Sequence, residues 1–182
     1  MAKLLYSATM SLDGFIAGPD GDMSWLTEYL GPNPTIDELM PQVGALLVGQ
    51  RTFGGDDPYK GTEAEGEAFG GGWRGPSIVL THWPPKDDLP ETIFASSLKE
   101  AIRLAKDAAG DKYVNVLGAS VAKQCLAAGE LDEILVCIAP VMLGDGVRLY
   151  DLPGGGARVR LERKDVSHAE HATNLWFRVL KR

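Results

Sequence analysis

Cysteine is nearly missing from this chain of 182 residues: it has two, Cys125 and Cys137, both inside apolar stretches. Such thiols read as buried and reduced rather than as a disulfide framework, and they carry the expectation of a cytoplasmic address. Long hydrophobic runs are missing as well. The longest, Ile134 to Leu143, is ten residues and contains Pro140, about half of the roughly 20 that a membrane-spanning helix needs. Met1-Ala2-Lys3-Leu4-Leu5-Tyr6 runs into polar Ser7 and Thr9, which reads as too short and too polar for a signal peptide. There is no basic run: 18 Lys and Arg stand against 25 Asp and Glu, a net charge of −7. That balance argues against nucleic acid or an anionic membrane as the main partner. Histidine is scarce, and His168 and His171 fall where a loop is expected with no other ligand placed to complete a metal site. Neither a Ser-centred nucleophile elbow nor a supported Cys–His pair occurs.

What is present is the composition of one ordinary globular domain spanning 1–182, with 45% hydrophobic and 24% charged residues. Lys3 to Met10 alternates and predicts a first strand, followed by a loop to Asp22. Met23 to Tyr29 and Thr35 to Val43 predict short helices, the second capped by Thr35. Ala45 to Val48 is wholly apolar, as in a strand buried on both faces. Gly54 to Gly75 carries eight glycines and few aliphatics, so it predicts a surface excursion or a flap. Ser77 to Thr81 and Ile93 to Ala95 predict strands, and Ser97-Leu98-Lys99-Glu100 is a capping box opening a helix to Gly110. Tyr113 to Leu117, Ala119 to Ala128 and Glu133 to Ala139 predict strand, helix and strand. Val159 to Val166 and Leu175 to Leu180 alternate like antiparallel strands. The order predicts a three-layer α/β fold, a mainly parallel mixed sheet with helices on both faces and antiparallel strands at the C-terminal end.

In such sheets ligands bind beyond the carboxyl ends of the strands. Leu117-Gly118-Ala119-Ser120-Val121 leads a strand into a helix through small residues, which suits a phosphate at a helix N-terminus and suits equally a tight turn without a ligand. Val48-Gly49-Gln50-Arg51-Thr52-Phe53 repeats the pattern with a cation and a hydroxyl. Two such turns match the anchor points of a dinucleotide. Thr81 and His82, at another strand exit, are placed for an extra phosphate on an adenosine ribose. Asp13, Trp25 and Glu28 follow the first strand, and a carboxylate in an apolar cleft can hold or protonate a heterocycle because burial raises its pKa. Asp13-Gly14 is equally a turn dipeptide.

Ser11-Leu12-Asp13-Gly14-Phe15-Ile16-Ala17, Gly49-Gln50-Arg51-Thr52-Phe53, Leu117-Gly118-Ala119-Ser120, and Leu131-Asp132-Glu133 through Ala139-Pro140-Val141-Met142-Leu143-Gly144-Asp145-Gly146 occur in this order. With these motifs the chain resembles the dihydrofolate-reductase-like proteins of the riboflavin-reductase C-terminal-domain type over nearly its whole length. The resemblance implies the dihydrofolate reductase fold, NADPH as cofactor and a homodimer. It implies that Ala8, Ile16 and Ala17 flank the nicotinamide and that Gly49, Arg51 and Thr52 hold the pyrophosphate region. Thr81 and His82 would meet the adenosine end, and Leu117, Gly118, Ala119, Ser120, Val121 and Ala122 the diphosphate. Trp25, Phe15 and Phe53 are expected around a small pterin- or pyrimidine-like substrate, with Asp13 or Glu28 as its proton source. The chain departs from the family pattern at Gln50, where Arg is common, at Ala119, where a second Gly is usual, and at Phe15, where riboflavin-pathway reductases carry an Arg that grips a ribose phosphate. The Phe15 departure implies a substrate other than that phosphorylated pyrimidine. Besides that reductase, the motifs accommodate an NADP-binding protein without efficient turnover, a reductase of the riboflavin pathway, or a purely structural dimerisation module.

Overall fold

The computed structural model describes all residues except Asp88, Ala157 and Arg182. Among the described residues, ten strands and four α-helices follow one another: β1 (Leu4–Ser11), β2 (Phe15–Ala17), α1 (Pro34–Leu39), β3 (Val43–Gly49), α2 (Gln50–Phe53), β4 (Ser77–Leu80), β5 (Thr92–Ala95), α3 (Leu98–Ala109), β6 (Tyr113–Leu117), α4 (Ala119–Ala127), β7 (Leu131–Ala139), β8 (Val147–Arg148), β9 (Arg160–Ala169) and β10 (Ala172–Leu180). Eight strands form one sheet in the order β5-β4-β3-β6-β1-β7-β10-β9. The first six run parallel, and β10 lies antiparallel to both β7 and β9. This is the expected mixed sheet. The small β2–β8 ribbon beside it is a feature the alternation pattern does not reveal.

Central strands are apolar on both faces because both faces are covered. Leu4 and Tyr6 of β1, Leu47 of β3, and Val114 and Val116 of β6 pack under α3 and α4 with Ala105 and Cys125. On the other face Leu5, Leu46, Val48 and Leu135 pack with Leu39 of α1 and with Trp73. Trp73 donates its indole N–H to the Val43 carbonyl at 3.0 Å. Trp73, with Phe69 and Ala68 packed against the same cluster, thus pins the Gly-rich 54–75 stretch to the core, and the excursion becomes a wall.

Helix boundaries follow local chemistry. Ser97 accepts from the Glu100 amide at 3.3 Å, as the capping box requires. The helix expected over 35–43 is shorter than its pattern. Its cap is Asn33, which accepts from Thr35 N at 3.2 Å with Pro34 in the first turn, and not Thr35. Pro41 lacks an amide hydrogen, so the helix tightens to a 3₁₀ turn over Met40–Gln42 and β3 begins at Val43. The helix expected over 23–29 is a 3₁₀ helix, Ser24–Tyr29.

The sheet is tied together by one buried acid. Glu133 is 1% exposed, and its carboxylate accepts from Lys164 at 2.6 Å, the Trp176 indole at 2.8 Å, the Tyr113 hydroxyl at 3.0 Å and Lys3 at 3.3 Å. Lys164 also sits 4.5 Å above the Trp176 ring. Desolvation pushes the Glu133 carboxyl upward, but the bonds from Lys164, Tyr113 and Lys3 outweigh it and hold the group below its ordinary 4.5. Burial and the Glu133 charge push the Tyr113 hydroxyl up to about 12. Because hydrogen bonds to charge contribute about 1.5–3 kcal/mol, Glu133→Gln should lower unfolding free energy by about 2 kcal/mol in urea melts at pH 7. A depressed carboxyl contributes its stability above its unfolded pKa, so the gap between wild type and variant should close as pH falls below 4.5.

Candidate functional site

The carboxyl ends of β1, β3, β4 and β6 open into a cleft of about 2250 Å³, walled by α1 and by the 54–75 stretch. Adjacent strand exits meet in it. Gly118, between β6 and α4, has φ +102°, and any side chain there would strike the Thr52 hydroxyl of α2. The close approach therefore needs glycine on both conformational and steric grounds. No side chain caps the start of α4, so its first amides, flanked by small Ala119 and Ser120, are left to a ligand or to solvent. One strand over, the buried Thr81 hydroxyl donates to Gln50 Oε1 at 2.9 Å and accepts from Trp83 N at 3.0 Å. Phe53 lies edge-on to Phe94 at 5.8 Å.

Most of the residues expected around a dinucleotide meet in this cleft: Ala8, Ile16, Ala17, Gly49, Arg51, Thr52, Thr81, His82, Leu117, Gly118, Ala119, Ser120 and Val121 line it, and so does Phe53. Ala122 does not. It is buried in the core beside Val121 and Cys125, on the helix face that packs against the sheet. Phe15 and Trp25 are not lining residues either. Phe15 is 4% exposed in the β2–β8 ribbon, with the Arg148 guanidinium 4.5 Å over its ring, so nothing about a substrate phosphate follows from it. Trp25 packs against Tyr29 at 6.4 Å between centroids, and Leu26 and Tyr29 form the wall in its place. Glu28 is exposed on the 24–29 turn, outside the lining.

Asp13 also departs from its expected role as a proton source. It lies outside the lining, and its carboxylate accepts from the Ser11 hydroxyl, from Leu143 N at 3.1 Å and from Gly144 N at 2.7 Å. These bonds, Ser11 first, hold its pKa down to about 2. It is a fixed anion that docks the 143–146 turn. Beyond that turn, Gly146 presses on the backbone of Ala17 and Gly18 so closely that a side chain there would run into the Ala17 carbonyl. Leu12 N to Val141 O at 2.8 Å and Leu149 N to Gly14 O at 2.9 Å complete the seam.

The structure adds residues that the motifs do not mark. Asn33, Ile36, Asp37 and Met40 from α1 and its flanks, Cys137 of β7, and His171 at the β9–β10 hairpin tip line the cleft. The Asn33-Pro34 pair is a helix-start signature and is the one signal that could have drawn attention to α1. Asn33 shares a buried network with Asn174, Thr35 and Ser167. Burial pushes the Cys137 thiol up to about 12, so it is no nucleophile.

Asp13→Asn removes charge from the seam and points an amide donor at donors. The Leu143 and Gly144 amides should then exchange with deuterium roughly tenfold faster while those of β3 and β6 stay unchanged. Below pH 8 wild-type exchange protection there should not titrate until pH approaches 2.

The chain can be set beside known proteins. It superposes on a putative riboflavin biosynthesis protein from Shewanella sp. PV-4 with a TM-score of 0.70 at 20% identity, covering 100% of both chains. The diaminohydroxyphosphoribosylaminopyrimidine deaminase/5-amino-6-(5-phosphoribosylamino)uracil reductase of Thermotoga maritima gives 0.66 at 19% identity, over 98% of this chain and 57% of that one. Dihydrofolate reductase from Enterococcus faecalis, complexed with NADP(H), gives 0.58 at 15% identity, over 98% and 97%. These likenesses show the dihydrofolate-reductase-like fold. The model of the RibD C-terminal domain matches residues 2–174, and the chain therefore belongs to the RibD C-terminal domain family.

Proposed function

We propose that the protein is an oxidoreductase that passes hydride from NADPH to a small pterin- or pyrimidine-like C=N compound in the cleft. The observation that carries this reading is the close approach of Gly118 to the Thr52 hydroxyl, which only a residue without a side chain permits and which sets the starts of α2 and α4 side by side at the cleft. These two helix starts and small flanking residues suit a pyrophosphate, and Arg51 supplies the nearby cation. Sheet order then gives the cofactor its direction: Ala8, Ile16 and Ala17 on the β1 side would meet the nicotinamide, and Thr81 and His82 on the β4 side the adenosine. The bound nicotinamide supplies the hydride, and the protein's part is to hold and orient. The fold relatives named above, a uracil reductase and a dihydrofolate reductase bound to NADP(H), support the assignment.

Substrate would lie on the α1 side, where Asn33, Asp37 and His171 offer polar contacts and Ile36 and Met40 apolar ones. Arg51 and Arg74 are the only Lys or Arg lining the cleft among the described residues, and neither α1 nor the β9–β10 hairpin tip carries one. A phosphorylated ribose would find no cation there, which favours an unphosphorylated ring over the riboflavin-pathway substrate. The placement of Asp13 and Glu28 outside the lining favours a second reading, an NADP-binding protein without efficient turnover.

A homodimer is part of the proposal. Leu161 at 42% and Val166 at 50% exposure stand on β9, paired in register with Val179 and Leu175 of β10. A second copy would cover them. The buried thiols and the absence of any helix long and apolar enough to cross a membrane, among the described residues, support a cytoplasmic setting.

Trp73 and Trp83 line the cleft, so NADPH should quench tryptophan emission and light up nicotinamide emission. Gly118→Ala should weaken this binding at least about tenfold, and a wild-type protein that gives no transfer at millimolar NADPH would refute the reductase. NADPH oxidation with dihydropterin or aminouracil substrates separates turnover from the second reading. In sedimentation, wild type should run as a dimer and Val166→Asp as a monomer; a wild-type monomer rejects the dimer alone.

A further inference from the structure

Asn115 is fully buried in the middle of β6, and neither its amide nitrogen nor its carbonyl oxygen has a hydrogen-bond partner among the described residues. Buried amides are nearly always paired. β6 alternates: Val114 and Val116 enter the core under α3 and α4, while Tyr113 and Leu117 pack on the opposite face. Asn115 shares the face of Tyr113 and Leu117. Its register neighbours are Leu5 on β1 and Leu46 on β3, so no polar partner can reach it within the sheet. Leu46 lines the cleft, and so do Ser7, Val48 and Leu117, each two residues further along β1, β3 and β6. The amide therefore lies one layer of side chains beneath the cleft floor, and a partner must come from the cleft.

We propose that Asn115, with the Ser7 hydroxyl two residues further along the neighbouring strand, forms an amide-recognising slot in that floor. A rotamer change of Leu46 or Leu117 uncovers it, and it then takes the N–H and C=O edge of a bound ring. An Asn side chain offers one donor face and one acceptor face in the pattern complementary to a lactam or a carboxamide. The inference rests on the reductase reading, in which two groups carry that edge: the lactam of an oxo-substituted substrate ring and the carboxamide of nicotinamide. A neutral slot of this kind recognises the heterocycle itself.

The test compares wild type, Asn115→Leu and Ser7→Ala. NADPH affinity is read by energy transfer. Pterin and 2-aminopteridine, which lacks the lactam, are read as melting shifts of the NADPH-loaded protein. Asn115→Leu places an apolar chain among apolar neighbours and should melt no lower than wild type. It should nevertheless lose at least about tenfold in affinity for one ligand. Loss for pterin alone assigns the slot to the substrate lactam, and wild type should then respond to pterin more than to 2-aminopteridine. Loss for NADPH assigns it to the carboxamide. If both affinities stay within about twofold of wild type, or wild type ignores pterin while NADPH binding is unchanged, the slot is refuted. If Asn115→Leu does not fold, Ser7→Ala, which removes only the hydroxyl at the mouth, must show the same selective loss. A wild type that binds no NADPH sinks the reductase reading instead, and the pterin comparison on free protein still decides the slot.

Discussion

Two segments 130 residues apart are joined at the Asp13 carboxylate, and the lip of the cleft depends on that joint. The loop after β1 has little apolar content with which to hold itself, and the turn after β7 is glycine-rich. Neither could stay ordered through burial alone. A carboxylate that accepts three hydrogen bonds holds both at once, and its low pKa records how strongly the charged form is favoured there. The seam continues through Gly146 onto Ala17 and Gly18, which line the cleft. The same residue cannot serve as an acid, because an anion that takes its proton only near pH 2 has none to give at neutral pH. A group that was attractive as chemistry proves to be architecture, and the position of Ile16 and Ala17 follows from it.

Charge has to be read locally in this molecule. With a net charge of −7 the protein as a whole repels a dinucleotide. Under the proposed function, the adjoining starts of α2 and α4 would reverse that only at close range, through backbone amides and one arginine. Sheet order makes this possible. β3 and β6 are separated by more than 60 residues in the chain yet adjacent in the sheet, so α2 and α4 start side by side. Glycine precedes both helices, Gly49 before α2 and Gly118 before α4, and lets the two strand exits approach closely.

The elements with a strong local signal are legible in the sequence. The wholly apolar run in β3, the Ser97 box and the alternation of β10 each state their structure through periodicity or capping, and the cradle at Gly118 to Val121 is visible as small residues at a strand exit. Contacts between distant segments are not. Nothing local to Asp13 indicates that its partners are the amides of Leu143 and Gly144, although the two motifs are the most distinctive in the chain, and their pairing is the physical reason they occur together. Phe15 is one residue from Ile16 and faces the other way, because β2 is a strand and its side chains alternate. Ala122 fails for the corresponding helical reason. The Gly-rich stretch lacks enough apolar residues to show a core, yet Trp73, with Ala68 and Phe69 beside it, supplies the anchor.

Asn115 and Glu133 show how context decides the fate of a buried polar group. Both are register neighbours of Leu5, one on each side of β1. Glu133 lies toward β10 and β9, from which Lys164 and Trp176 reach it, and four donors converge on one carboxylate. In that low-dielectric setting each bond strengthens the next, and the acid fastens the antiparallel strands to the parallel sheet. Asn115 lies toward β3, between leucines, with α3 and α4 on the far side of the sheet. The same low dielectric makes its unpaired amide costly. An apolar residue in that place would relieve the cost without disturbing a single hydrogen bond among the described residues, so the fold itself gives no reason for an amide there. The reason has to come from the one side of Asn115 that the sheet leaves open, which is the side on which the cleft lies.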